Sequence, residues 1–292
     1  WKDLVSEFIK HCINRYGLEE VETWYFEVWN EPELEGMFWI GNRQEYFEFY
    51  KETALAIKSI SKRLKVGGPS VTHEGIHSSN WFKQFLEYCS RWNIPIDHIC
   101  IHIYPEKYLL EGGIKVGEIE FSTNEDERFE EVQALMKNTK VIYYDKNHTN
   151  NTVELLNSDI KKYLKEEKET HITEWGVSTQ YGNLINDTCF ASSFIVSNIL
   201  QCIGKVNSIG HWIFTDLMEE AKLPREEFHG GFGLMTYNGI KKPSYFAYYI
   251  LNKLGNEIIE QSEGYIVTRK NEDIQILTYN YTHFDDLFMN GD

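Results

Sequence analysis

The chain has 292 residues, enough to bury a large core as one barrel-sized domain or two smaller ones. A formal net charge of −16 sets aside nucleic acid and anionic membranes as partners of this segment, because either surface would repel it. Aromatic residues make up 15% of the chain, which suits a sugar-binding cleft and an ordinary core alike, so composition leaves the function open.

From the N-terminus, Asp3 is placed to cap a helix whose apolar residues Leu4, Val5, Phe8, Ile9, Cys12 and Ile13 recur at helical spacing, with Gly17 ending it. Residues 23–29 are almost all aromatic or β-branched and read as a strand, running to Asn30, that is buried on both faces. Pro32 cannot continue a central strand, so Glu31 falls where strand gives way to loop. Asn42 opens a long helix to about Arg63, residues 65–68 form a short strand, and Ser79 caps a helix stopped before Pro95. Residues 99–104 alternate and close on Pro105, which points His102 and Tyr104 to one face.

Between 106 and 170 the pattern loosens, with charged, solvent-facing helices expected at 125–137 and 153–168 and a strand at 141–144 between them. A strand at 171–174 presents Glu174 at its end. A helix over 187–202 and a strand over 208–214 follow, then a loop carrying Glu219 and Glu220, then a helix begun by Pro243 and running to about Leu254. The tail reads as a hairpin, 264–269 and 274–281.

Alternating strands and helices imply a parallel sheet with helical crossovers. Five βα units can be counted, whereas a closed barrel needs eight. Together with the abrupt start at Trp1, this leads to the expectation that three strands lie upstream. The α/β fold expected is a partial (β/α)8 TIM barrel over 1–255, equivalent to strands 4–8, followed by the start of a β-sandwich over 256–292. Its raw edge invites pairing with a second copy. The five cysteines are scattered, odd in number and without a CxxC pair, which fits reduced thiols in a cytoplasmic protein.

A carboxylate at the C-terminal mouth of a parallel strand is where an α/β barrel keeps its chemistry. There are two here, in Asn30-Glu31-Pro32 and in Thr173-Glu174-Trp175. Paired carboxylates, one protonated and one ionised, are the machinery of glycoside hydrolysis. His73 and His77 lie four apart, but no convincing third ligand follows, so neither metal nor cofactor is expected.

The run from Tyr16 to Pro32, with Trp29-Asn30-Glu31-Pro32 at its end, resembles glycoside hydrolase family 39, the β-xylosidases and α-L-iduronidases. The stretches His102-Ile103-Tyr104-Pro105, Thr173-Glu174-Trp175 and Trp212 with Phe214 to Glu220 add to that resemblance. It implies a (β/α)8 barrel with an attached β-sandwich and hydrolysis with retention of configuration. By the same resemblance, Glu31 is the general acid/base and Glu174 the nucleophile. Asn30 bonds the sugar 2-hydroxyl, Trp212 forms the floor under the reactive sugar with a strained or cis peptide after it, and Glu219 and Glu220 hold sugar hydroxyls.

Tyr104 and His102 are candidates to hold the nucleophile or a hydroxyl, and Phe38 to wall the subsite. Each has a plainer reading: an Asx-turn for Asn30, a satisfied core histidine for His102, packing for Trp212 and Phe38, and solvation for Glu219 and Glu220. The substrate implied is a β-xyloside or xylose-containing oligosaccharide. The alternatives are an α-L-iduronidase-type glycosidase, for which no Arg or Lys stands beside the motifs, and a non-catalytic sugar-sensing module of a regulator. With three strands missing, the chain is expected to keep both glutamates whether or not it turns over by itself.

Overall fold

The computed structural model describes residues 1–109, 139–218 and 226–283, together with positions 119, 122, 124, 127, 130, 131, 134 and 135. The helix expected at 125–137 lies almost wholly outside the described residues, as do Glu219 and Glu220. In chain order the first half comprises α1 (Lys2–Tyr16), α2 (Leu18–Val21), β1 (Tyr25–Glu27), α3 (Arg43–Ile60), β2 (Lys65–Thr72), α4 (His73–His77), α5 (Trp81–Trp92), β3 (His98–Ile103) and β4 (Glu106–Leu109). Then come β5 (Lys140–Tyr143), α6 (His148–Leu164), β6 (Glu169–Trp175), α7 (Cys189–Cys202), β7 (Ser208–His211) and α8 (Pro243–Leu251). Three more strands, β8 (Glu257–Ser262), β9 (Tyr265–Lys270) and β10 (Asp273–Thr278), close the sequence of elements.

The five strands expected to be parallel are so, in the order β1-β2-β3-β6-β7. The sheet is curled. Glu27 of β1 and Thr173 of β6 stand three strands apart, which is about 14 Å in a flat sheet. Yet the Thr173 hydroxyl donates to Glu27 Oε1 at 2.9 Å, and the Tyr25 hydroxyl reaches Glu169 at 2.5 Å. These links cross the concave face of a half-barrel. On the convex side the apolar faces of α3 and α5 supply the largest aromatic side chains of the core, with Tyr46, Tyr50, Trp81, Phe82 and Phe85 in one cluster with Ile99 and Ile101 of β3. The cap of α3 is a full capping box: Asn42 accepts the Glu45 N–H and Glu45 accepts the Asn42 N–H.

Several expectations need correction. The strand read over 23–30 is only three residues long and is not buried on both faces: Tyr25 and Glu27 are exposed on the concave side. The reason is its place at the sheet edge, bonded to β2 alone, and the positive φ of Trp29 (71°) and Glu31 (45°), which turns the chain out of extended conformation. The helix expected at 153–168 starts earlier, as α6, and is amphipathic, with Glu154, Ser158, Lys161 and Lys162 exposed on one side only. It buries His148, Val153, Leu156 and Ile160. The tail is a three-stranded antiparallel sheet in which β8 had no sequence signal; a second sheet, which a sandwich needs, is not among the described residues. No helix among the described residues is long and apolar enough to cross a membrane.

A buried ion cluster holds the segment after β7. Lys242, fully buried, places Nζ 2.6 Å from Asp187 and 2.7 Å from Asp216, and donates to the Gly231 carbonyl. The same carboxylates accept the N–H groups of Gly230 and Gly233. Gly231 has no room for a side chain, since a Cβ there would lie 2.4 Å from Asp216. Lys242→Ala leaves two carboxylates buried without a counter-charge and is expected to cost about 3–5 kcal/mol. A lowered urea midpoint would report it.

Candidate active site

The site is assembled where the parallel strands end. Glu31 leaves β1 with its N–H donating to the Ser70 carbonyl at 3.1 Å, and the strand exit is pinned by the Tyr46 hydroxyl, which donates to the Val28 carbonyl at 2.8 Å. His102 pairs in register with Thr72 on one side and Glu174 on the other. Register slips occur between Pro69 and Val71, between Ile101 and His102, and between Ile172 and Trp175. Such irregularities re-aim side chains. Here they fall on the strands that carry the candidate residues.

Four of the expected residues converge. His102 Nδ1 lies 2.7 Å from Glu31 Oε1 and 3.5 Å from Glu174 Oε2, and the Tyr104 hydroxyl donates to Glu174 Oε1 at 2.6 Å. Ligand-type atoms of Glu31, His102 and Glu174 all lie within 4.8 Å of one another. That spacing would also accept a cation, but hydrogen bonds to His102 and Tyr104 already engage both carboxylates. Glu31 is buried, with 8% of its surface exposed. Burial alone would lower the His102 pKa. The hydrogen bond and charge of Glu31, followed by the charges of Glu174 and Glu27, outweigh it, so His102 is raised and holds a proton between the carboxylates more readily. Burial, then the nearby Glu174, pushes the Tyr104 phenol well above its ordinary value and keeps it a donor.

The other expected residues stand apart to differing degrees. Asn30 is exposed and its side chain makes no hydrogen bond to the described residues, so it does not form an Asx-turn. Trp212 is half-buried at the end of β7, its N–H donating to the Trp175 carbonyl at 2.9 Å, and the peptide to Ile213 is cis. Phe38 is exposed and contributes its carbonyl, which accepts the Trp29 indole N–H at 2.9 Å. His73 and His77 do gain a third histidine, His148, but as packed rings 4.9 and 5.7 Å away; among the described residues only Glu31, His102 and Glu174 converge as ligands.

Sequence reasoning missed Glu33. Its Oε1 accepts the Thr72 N–H, while Oε2 is shut off from solvent with no partner, although the residue as a whole is only half-buried. Burial, then the charge of Glu31, raises its pKa to about 8. A neutral Glu33 at pH 7 spares Glu31 a second like charge. A carboxyl two residues past a strand end looks like any solvated loop acid, so the sequence carries no sign of it.

With this geometry in hand, comparison with known proteins is informative. The profile of Glycosyl hydrolases family 39 matches residues 1–158 and 139–283. The chain belongs to this family. Among family 39 relatives it is 33% identical to a β-xylosidase of Geobacillus stearothermophilus over 93% of this chain and 49% of that protein. It is 36% identical to a β-xylosidase of Caldicellulosiruptor saccharolyticus over 89% of this chain and 47% of that one. The crystal structure of the family 39 enzyme from Xanthomonas axonopodis pv. citri superposes with a TM-score of 0.81 at 28% identity, covering 97% of this chain and 51% of that one. The chain thus spans about half the length of the relatives it matches. Family 39 membership and this superposition agree with the barrel-type curl of the parallel sheet.

Proposed function

We propose that this chain carries the catalytic centre of a retaining glycosidase that acts on β-xylosides in xylo-oligosaccharide breakdown. The observation that carries the reading is the approach of the Glu31 and Glu174 carboxylates to within 4.8 Å. Retaining enzymes hold their carboxyls about 5–5.5 Å apart, whereas inverting ones leave ~6.5–9.5 Å for a water. In this mechanism Glu31 protonates the leaving oxygen while Glu174 attacks the anomeric carbon, and Glu31 then deprotonates the water that releases the sugar. The Tyr104 hydroxyl donates to Oε1 of Glu174, and Oε2, 3.5 Å from His102 Nδ1, is assigned as the attacking oxygen.

Asn30, exposed beside the acid/base, is assigned to the 2-hydroxyl, and Trp212 to the floor of the subsite. His102, between the carboxylates, is assigned to orienting them and a hydroxyl. Phe38 is assigned to the wall of the subsite, and Glu219 and Glu220 to holding sugar hydroxyls. Five free cysteines, four of them buried, fit the reducing cytoplasm. The test is the stereochemistry of hydrolysis of an aryl β-xyloside by the full-length protein, followed by proton NMR. β-Xylose must form first and mutarotate afterwards; α-xylose as first product would overturn the assignment.

A further inference from the structure

We infer that Glu27, on the floor beneath the site, is a positioning residue that sets the separation of Glu31 and Glu174. Resting on the glycosidase reading above, this goes beyond it by naming a group that touches neither substrate nor the reacting carboxylates.

Glu27 interrupts an aromatic strand with a charge, and its side chain rises into the concave face. Its Oε1 accepts hydrogen bonds from the Ser70 hydroxyl of β2 and from the Thr173 hydroxyl of β6, the latter at 2.9 Å. One carboxylate therefore joins three strands, β1, β2 and β6, at a single level, reaching past β3, which lies between β2 and β6 in the sheet.

Each of the hydroxyl partners leads directly to a reacting group. The carbonyl of Ser70 accepts the N–H of Glu31 at 3.1 Å, and Ser70 sits in the left-handed region at φ 60°, within the register slip of β2. Thr173 immediately precedes Glu174 and falls in the slip between Ile172 and Trp175. Strand irregularities leave backbone positions soft, and a shared acceptor pulls two of them to fixed places. A charged acceptor makes those hydrogen bonds roughly twice as strong as neutral ones, which suits a tie across an open face. Without Glu27, Ser70 and Thr173 lose their shared side-chain acceptor, and the strand ends bearing Glu31 and Glu174 are held only by the β2-β3-β6 ladders and by His102, which lets them move apart.

The test uses Glu27→Ala and Glu27→Gln in the full-length protein, assayed on phenyl β-xyloside and on 2,4-dinitrophenyl β-xyloside, with crystal structures of both variants. Glu27→Ala is expected to lower kcat/KM on the phenyl glycoside by roughly 10–100-fold, the scale of a misplacement of about an ångström. The loss on the dinitrophenyl glycoside should be smaller, because that leaving group departs without a proton from Glu31. Glu27→Gln keeps one acceptor oxygen and is expected to retain most of the activity. The Glu31–Glu174 separation in the Glu27→Ala crystal should exceed the wild-type value.

A purely structural role would reduce the active fraction and lower both substrates by the same factor. Equal losses, unchanged rates, or an unaltered carboxylate separation would overturn the inference. If the wild-type protein hydrolyses neither glycoside, the glycosidase reading fails by itself, and the crystallographic separation still decides the role of Glu27. If Glu27→Ala does not fold, the Glu27→Gln protein is judged by the same two readouts, with smaller shifts expected.

Discussion

Glu174→Ala is expected to reduce kcat on an aryl β-xyloside by roughly 10⁴-fold or more, measured in the full-length protein. An alanine has no oxygen to form the glycosyl ester, so the two-step route is closed and only slow direct attack by water remains. Glu31→Ala should behave differently. Poor leaving groups, which need a proton, should lose about 10²–10⁴-fold, whereas a dinitrophenolate should leave nearly unaided and expose the slower second step. This contrast separates the two roles even though the carboxylates are close neighbours. Turnover by Glu174→Ala within tenfold of wild type, or the same leaving-group dependence in both variants, would sink the assignment. Both side chains stand at the mouth of the curled sheet, and far-UV circular dichroism of each variant checks that the fold is kept.

Acid should unfold this protein early. Burial lowers the pKa of His73, His98 and His211 to about 4 each, and burial with the charges of neighbouring histidines lowers His148 to about 3. His73 and His148 also have ring nitrogens that are shut off from solvent without a partner. In the unfolded chain these groups take up protons below about pH 6.5, while in the folded chain they stay neutral. The unfolded state therefore binds more protons as pH falls, and stability is fully present above about 6.5 and is lost on the way down toward 4. At pH 5 each such histidine costs about 2 kcal/mol, so four of them approach the entire stability of an ordinary domain.

Other groups work in the opposite sense. Glu33 is raised to about 8, and His102, Glu106 and Asp159 are also raised, so these favour the folded state more at lower pH, whereas His77 and His171, lowered by burial, add to the loss. The denaturant midpoint is expected to drop steeply between pH 7 and 5. His148→Phe preserves the stacked ring, which lies 4.0 Å from Tyr144 and within 6° of parallel, and should flatten that drop by removing one titrating group. A midpoint independent of pH across this range would contradict the burial of these histidines.

Much of this was legible in the residues themselves. Proline after Asn30-Glu31, the apolar runs and the helix signals place both glutamates at strand ends, because they act through the local backbone. Asn42 marks the start of α3 for the same reason. The curl of the sheet was not legible, nor was the three-residue length of β1, since each depends on which neighbour a strand finds. α6 was misjudged because its charged residues mask a buried stripe that becomes visible only when α5 lies beside it. Glu33 and Glu27 look like ordinary solvated acids in sequence. Their environments are made by Thr72, Ser70 and Thr173, residues distant in the chain.

Sequence by itself therefore determined the alternation of the five parallel strands with helices and the identity of the two candidate carboxylates, since strand ends are written in propensity and turn chemistry. Tertiary structure decided how far apart those carboxylates stand and what protonates, braces or isolates them. Distance, burial and charge are properties of neighbours in space, and here the neighbours come from strands brought together only by the curvature of the sheet.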